Sequence, residues 1–161
     1  MLFSLAICLL YLELMELANI TDTHQKMDIF ESEIAKMPQV ELPLMHRFTE
    51  GMYIRTIFMP AGSVVTSRTH KTQHPFVITK GACEIVKEDG TREIFTAPHI
   101  GITEPGTRRV FLVLKDLELT TFHVTDQTDP DEIAETITES HNDLLPEGFN
   151  HLCFEKRGAL K

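Results

Sequence analysis

Positive charge is scarce in this chain: 15 Lys and Arg stand against 24 Asp and Glu, for a formal net charge of −9 and a pI near 5.3. Surfaces that hold nucleic acid neutralise phosphates with Lys and Arg, so no DNA or RNA partner is expected. Cysteine is scarce too. Cys8, Cys83 and Cys153 lie far apart and form no CxxC pair, which argues against both a zinc ribbon and a disulfide framework. Free thiols in a reducing, cytoplasmic compartment are the expectation. The apolar run Met1 to Leu12 is too short to cross a bilayer as a helix, so no membrane partner is expected. There is no internal repeat and no low-complexity tract. Also missing are a Ser-His-Asp order, a nucleophile elbow, a phosphate loop and a dinucleotide fingerprint.

What remains is the make-up of one ordinary globular domain. The 161 residues are 42% hydrophobic and 24% charged, enough to enclose a real core. The chain divides into an apolar segment over 1–20, a helix plus a β-rich region over 21–128, and a C-terminal helix and tail over 129–161. Three readings compete for Met1 to Leu12: a helix packed on the domain or a partner, a weak export or anchor signal, or a start set too far upstream of Met15. A basic n-region is missing, and Glu13 and Glu16 stand where a cleavage site would be. These features favour the packed helix or the upstream start. From Thr21 to Met37 the pattern is helical. Thr21, Asp22 and Thr23 offer N-caps, and Met27, Phe30, Ile34 and Met37 share one face before Pro38 and Pro43.

Between about Met52 and Thr125 the pattern changes to short strands. Met52–Met59, Pro75–Thr79, Ala82–Val86, Thr91–Thr96, Ile100–Thr103, Arg109–Leu114 and Leu119–Val124 are rich in β-branched and aromatic residues. Turns at Pro60-Ala61-Gly62, Lys80-Gly81, Glu88-Asp89-Gly90 and Pro105-Gly106 separate them. Many short strands at this spacing predict a mainly β sandwich or barrel. Asp129-Pro130-Asp131-Glu132 then starts a second helix, with Ile133, Ile137, His141 and Leu144 on one face and Pro146 and Gly148 as its stop. The tail from Phe149 to Lys161 has no clear pattern.

Two segments carry a resemblance. Gly62 opens a stretch that contains Arg68, Thr69-His70-Lys71-Thr72-Gln73-His74 and a closing Gly81; Pro105-Gly106-Thr107 follows, with Arg109 three residues beyond the glycine. In order and separation these are similar to the two motifs of the cupin superfamily. Over His46-Arg47-Phe48 through Thr125 the chain resembles small single-domain cupin-like proteins of phages and bacteria. The resemblance implies a single cupin-type jelly-roll barrel (core 52–125) flanked by the two helices. It places His70 and His74 at two metal-ligand positions and arginines, Arg68 and Arg109, at the other two. It also implies a homodimer.

Two kinds of pocket follow from those residues. Imidazoles suit a divalent transition metal such as Fe, Mn, Ni or Zn. His123, alternating with Phe122 on the last strand, completes a His70, His74, His123 set, with Glu84 and His99 as alternatives for the third place. Against this, His70 and His74 could simply be pocket residues bonded to each other, to Gln73 or to water. Arg68 and Arg109 instead suit a carboxylate or phosphate and would repel a cation; pointed outward, either would pair with surface carboxylates. Arg108 and Arg109 are adjacent, so one of them faces in. The functional expectations are therefore a small-molecule or anion-binding protein around His70 and His74; a metal-dependent oxygenase, isomerase or lyase; or a phage structural or assembly protein. Cys83 is expected to be a buried, inert thiol.

Overall fold

The structure, a computed structural model, describes residues 23–87, 89–139 and 153–155. Its elements in chain order are α1 (Thr23–Ile34), β1 (Leu44–Thr49), β2 (Met52–Met59), β3 (Ser63–Thr66), β4 (His74–Lys87), β5 (Arg92–Thr96), β6 (His99–Thr103), β7 (Arg109–Val124), α2 (Pro130–Ile137) and β8 (Cys153–Glu155). Every strand pairing is antiparallel.

Two long strands organise the barrel. The first half of β4 pairs with β6 and its second half with β5. The first half of β7 pairs with β3 and its second half with β2, and β4 and β7 pair with each other along both halves. One layer therefore runs β1-β2-β7-β4-β6 and the other β8-β3-β7-β4-β5, with β4 and β7 passing from one to the other. The sequence predicts two strands on each side of a turn at Lys80-Gly81. The chain instead forms one strand that bends through register shifts between Ile78 and Cys83. Gly81 sits there at φ +88°, its backbone against the Asp116 carbonyl of β7. The two predicted strands from Arg109 to Val124 are likewise a single strand. Strands β1, β3 and β8 have no counterpart in the sequence prediction, which treats Cys153–Glu155 as patternless tail.

The core lies between the layers. Ile57, Val65, Phe76, Ile78, Ile85, Phe111, Val113 and Leu119 belong to it, as do Cys83 and Cys153, both free thiols. Burial pushes the Cys83 thiol up to about 11, so it is inert at neutral pH as expected. Cys8 lies outside the described residues.

Helix α1 packs on the other face of the second layer. Met27, Phe30 and Ile34 meet Val64, Val86 and Val110 there, and Met37 is partly buried against them. The predicted apolar stripe is the one that packs. Arg108 ties this helix down: its Nη2 and Nε reach Glu31 at 2.5 and 3.3 Å, and its Nη1 reaches Asp28 at 2.7 Å. Helix α2 starts as predicted, with Asp129 Oδ1 accepting from the Asp131 and Glu132 amides. It ends at Ile137, well before the predicted stop at Pro146, because Thr138 is extended and bridges to His70. His141 and Leu144 lie outside the described residues, as does the segment 1–20. Among the described residues no helix is long and apolar enough to cross a membrane.

Candidate functional site

The inner face of the first layer bounds a cavity of about 110 Å³. Strand alternation explains what β2 contributes: Tyr53, Arg55, Ile57 and Met59 are two apart and all line it. By the same rule β7 contributes Leu119, Thr121 and His123, and β4 contributes His74 and Phe76. Helix α2 closes one side with Ile133 and Ile137, buried with Tyr53, and with Asp131 and Ala134 at the lining.

His70 reaches the cavity by another route than the one the sequence suggests. A regular strand from His70 to His74 would point both side chains inward, but β4 begins only at His74. The loop around His70 is clamped by backbone hydrogen bonds instead. On one side the His70 amide donates to Thr107 O and the Gly106 amide to His70 O, at 3.1 and 2.7 Å. On the other, the Lys71 amide donates to Ile137 O and the Glu139 amide to Thr69 O, at 2.8 and 2.9 Å. The Pro105-Gly106 turn and the end of α2 thus fix where His70 stands.

The three histidines meet. The rings of His70 and His74 are 4.5 Å apart between centroids, and those of His74 and His123 are 4.3 Å apart. His74 Nδ1 lies 3.1 Å from Thr72 O, which can only accept, so Nδ1 carries the proton and Nε2 presents a lone pair. His123 Nε2 lies 3.0 Å from Thr121 Oγ1, whose own proton points to Arg55 O at 3.5 Å. Its Nδ1 is then the lone-pair nitrogen. His70 Nδ1, His74 Nε2 and His123 Nδ1 are all buried with no hydrogen-bond partner among the described residues. Gln73 is not a partner for them; it donates to both Glu104 carboxylate oxygens at 3.0 and 2.8 Å.

Burial, reinforced by neighbouring imidazoles and arginines, pulls both His70 and His123 down to about 3, and burial lowers His74 as well. The cluster is therefore neutral at physiological pH. For His123 the folded value lies below the ordinary 6.5. The stabilisation of its neutral form is fully present above that value and is lost as pH falls from there towards 3. Between pH 7 and pH 5 this group alone should remove about 2 kcal/mol of stability. Urea denaturation at the two pH values should show a correspondingly smaller loss in His123→Leu; an identical loss would place the titrating group elsewhere.

Three arginines face the same space. Arg68 and Arg109 line it as the motif positions suggest, and Arg55 joins them from β2. Burial draws all three guanidinium groups below their usual range, with Asp131 and Glu135 opposing the effect at Arg68. Arg109 lies over the Phe76 ring at 5.5 Å and donates from Nη1 to Thr103 Oγ1 at 3.1 Å, while its Nε is buried without a partner among the described residues. Arg108 faces the opposite way, towards α1, so of the adjacent pair Arg109 is the inward member. Among the described lining residues Asp131 is the one carboxylate.

The two alternative third ligands do not belong to this site. Glu84 pairs with Arg92 at 2.7 Å, and His99 stacks on Phe95 at 4.1 Å; neither lines the cavity. The sequence reading missed Arg55, although a lone arginine on the apolar face of an alternating strand is a detectable signal. It also missed His46, whose Nδ1 lies 2.6 Å from the Tyr53 hydroxyl. Burial raises Tyr53 and lowers His46.

No protein-family model matches the chain, and no curated protein sequence matches it. Solved structures do. The ectoine synthase from P. lautus superposes with a TM-score of 0.51 at 10% identity, over 66% of this chain and 80% of its own. The fold is the cupin fold. The Cnp3 cupin domain of Schizosaccharomyces pombe has a TM-score of 0.45 at 17% identity, over 64% of this chain and 71% of that one. A cupin 2 conserved barrel domain protein from Salinispora arenicola has a TM-score of 0.43 at 16% identity, over 53% and 76%. At such identities the likeness is one of architecture, and function has to be argued from the site.

A cupin barrel raises the question of a metal at the motif positions. Two of those positions are arginines that line this cavity. Although the three histidine rings are adjacent, no group of three His, Cys, Asp or Glu side chains among the described residues is arranged to hold a metal ion. Close centroids do not make converging nitrogens, and the second criterion is the relevant one for coordination. The two arginines at the lining oppose a divalent cation there.

Proposed function

We propose that this cupin barrel binds a small organic anion, with Arg109 as its principal anchor. The observation that carries this reading is the buried Arg109 Nε, unpartnered among the described residues and beside Arg55 and Arg68 in a cavity whose described lining holds one carboxylate. A guanidinium N–H in such a place attracts a carboxylate or phosphate oxygen. The neutral histidines add no competing cation, and Phe76, Phe111 and Leu119 offer an apolar wall. Calorimetry with acetate, propionate, succinate and inorganic phosphate tests the reading, with acetamide as the uncharged control. At least one anion should bind, and Arg109→Gln should weaken it about tenfold or more, the value of one charge-assisted hydrogen bond. An absence of binding by every anion would overturn it.

A second reading, a metal-dependent oxygenase, isomerase or lyase, is supported by the three unpartnered imidazole nitrogens of His70, His74 and His123. The arginines oppose it. Elemental analysis of untagged protein separates the two: anion binding predicts well below stoichiometric Fe, Mn, Ni or Zn. A full equivalent of metal that is lost in His70→Ala, His74→Ala would favour the enzyme.

A further inference from the structure

We infer that the anion held here is a short monocarboxylate that also carries a hydroxyl group as hydrogen-bond donor, seated against the three histidines. This inference rests on the anion-binding reading of the same cavity and adds the chemistry of the ligand's other end. The cavity is polar in two opposite senses. Among the described residues, Arg109 has a buried N–H without a partner, whereas His74 Nε2 and His123 Nδ1 have lone pairs without a partner. Their proton positions are set behind them by Thr72 O and Thr121 Oγ1. Such buried acceptors are costly to leave unmet. A ligand that satisfies both ends needs an acceptor for the guanidinium and a donor for the imidazoles.

The geometry limits the ligand further. The ring-to-ring spacings of 4.5 and 4.3 Å set the three imidazoles side by side along the cavity lining. Phe76 connects the two ends, since Arg109 lies over its ring and it shares strand β4 with His74. A short carbon chain across that ring would join carboxylate to donor. Arg109 Nε is the one fully buried guanidinium nitrogen left without a partner among the described residues, and a single carboxylate satisfies it. A simple fatty acid would leave the imidazoles unmet, and a polyol would leave Arg109 unmet.

The test uses calorimetry on the untagged full chain in buffer with EDTA. The probes are acetate against glycolate, propionate against lactate, and butyrate against 3-hydroxybutyrate, with 1,3-butanediol as the donor without a carboxylate. In at least one pair the hydroxy acid should bind about tenfold or more tightly than its parent, because a site built to accept a hydrogen bond discriminates against ligands that lack the donor. The diol should bind more weakly than either acid of its pair. His74→Leu and His123→Leu should each abolish the hydroxyl preference, read as the ratio of the two affinities within each pair. If a variant fails to fold by circular dichroism, the probe series on the unaltered protein decides. Equal binding within every pair would overturn the donor inference and leave the anion reading standing; no binding by any acid would overturn both. A preference seen only without EDTA would also overturn it, by making a chelated metal the source.

Discussion

Arg108→Ala should cost the folded chain about 3–5 kcal/mol, because it strands a buried carboxylate. The Arg108 side chain is 1% exposed and that of Glu31 is 5% exposed, and the two are joined by a two-pronged contact. Removing the guanidinium leaves Glu31 under the β3-β7-β4 layer with no cation to offset its desolvation. Asp28 matters less, since its side chain is 58% exposed and water screens it. The comparison that isolates this mechanism is the double variant Arg108→Leu, Glu31→Leu. With both charges gone, most of the loss should be recovered, because an apolar pair can replace a buried ion pair at little net cost. Urea denaturation of the two variants measures both steps. If the double variant is no more stable than Arg108→Ala, stranded charge is not the cause. The functional consequence is indirect: Arg108 adjoins Arg109 in the chain, so its loss should also loosen the proposed anion anchor.

The second large effect is expected at the bend that makes two strands serve two layers. Gly81→Ala would place a Cβ 2.1 Å from Asp116 O and 2.8 Å from Lys115 O, both backbone atoms of β7 that cannot swing away. It would also force an alanine to φ +88°, worth about 1–2 kcal/mol by itself. Together these should remove about 3 kcal/mol or more, which for a chain of this size lowers the melting temperature by about 10 °C. Gly62→Ala is the internal control. Gly62 has nearly the same φ, +87°, but nothing within 4 Å of the added atom, so it should show the conformational part alone, about 1–2 kcal/mol. Equal melting temperatures for the two variants would mean that the close approach at the bend carries no energy.

The same bend shows where local reading stops. Lys80-Gly81 has the composition of a turn, and a glycine at positive φ belongs in one. Whether the chain reverses there or continues as a bulged strand depends on what lies alongside, and β7 supplies hydrogen-bond partners on both sides of Gly81. Helix α2 repeats the lesson. Its start is written in Asp129-Pro130-Asp131, because capping is a matter of adjacent residues. Its end at Ile137 is set by the loop of His70, far away in sequence, which takes up the backbone of Thr138 and Glu139.

For the site, the segment Thr69 to His74 and the Pro105-Gly106 turn are legible in the sequence, as is the fact that one of Phe122 and His123 faces inward; that it is His123 comes from the fold. The legible features follow from local order and period. Tertiary structure alone decided that His70 enters from a clamped loop rather than a strand, that Arg109 turns inward while Arg108 turns to α1, and that Arg55, Tyr53 and α2 complete the cavity. Each of these is a meeting of residues distant in the chain. Side-chain period says which face a residue takes, but only the pairing of strands and the packing of helices says what stands opposite that face.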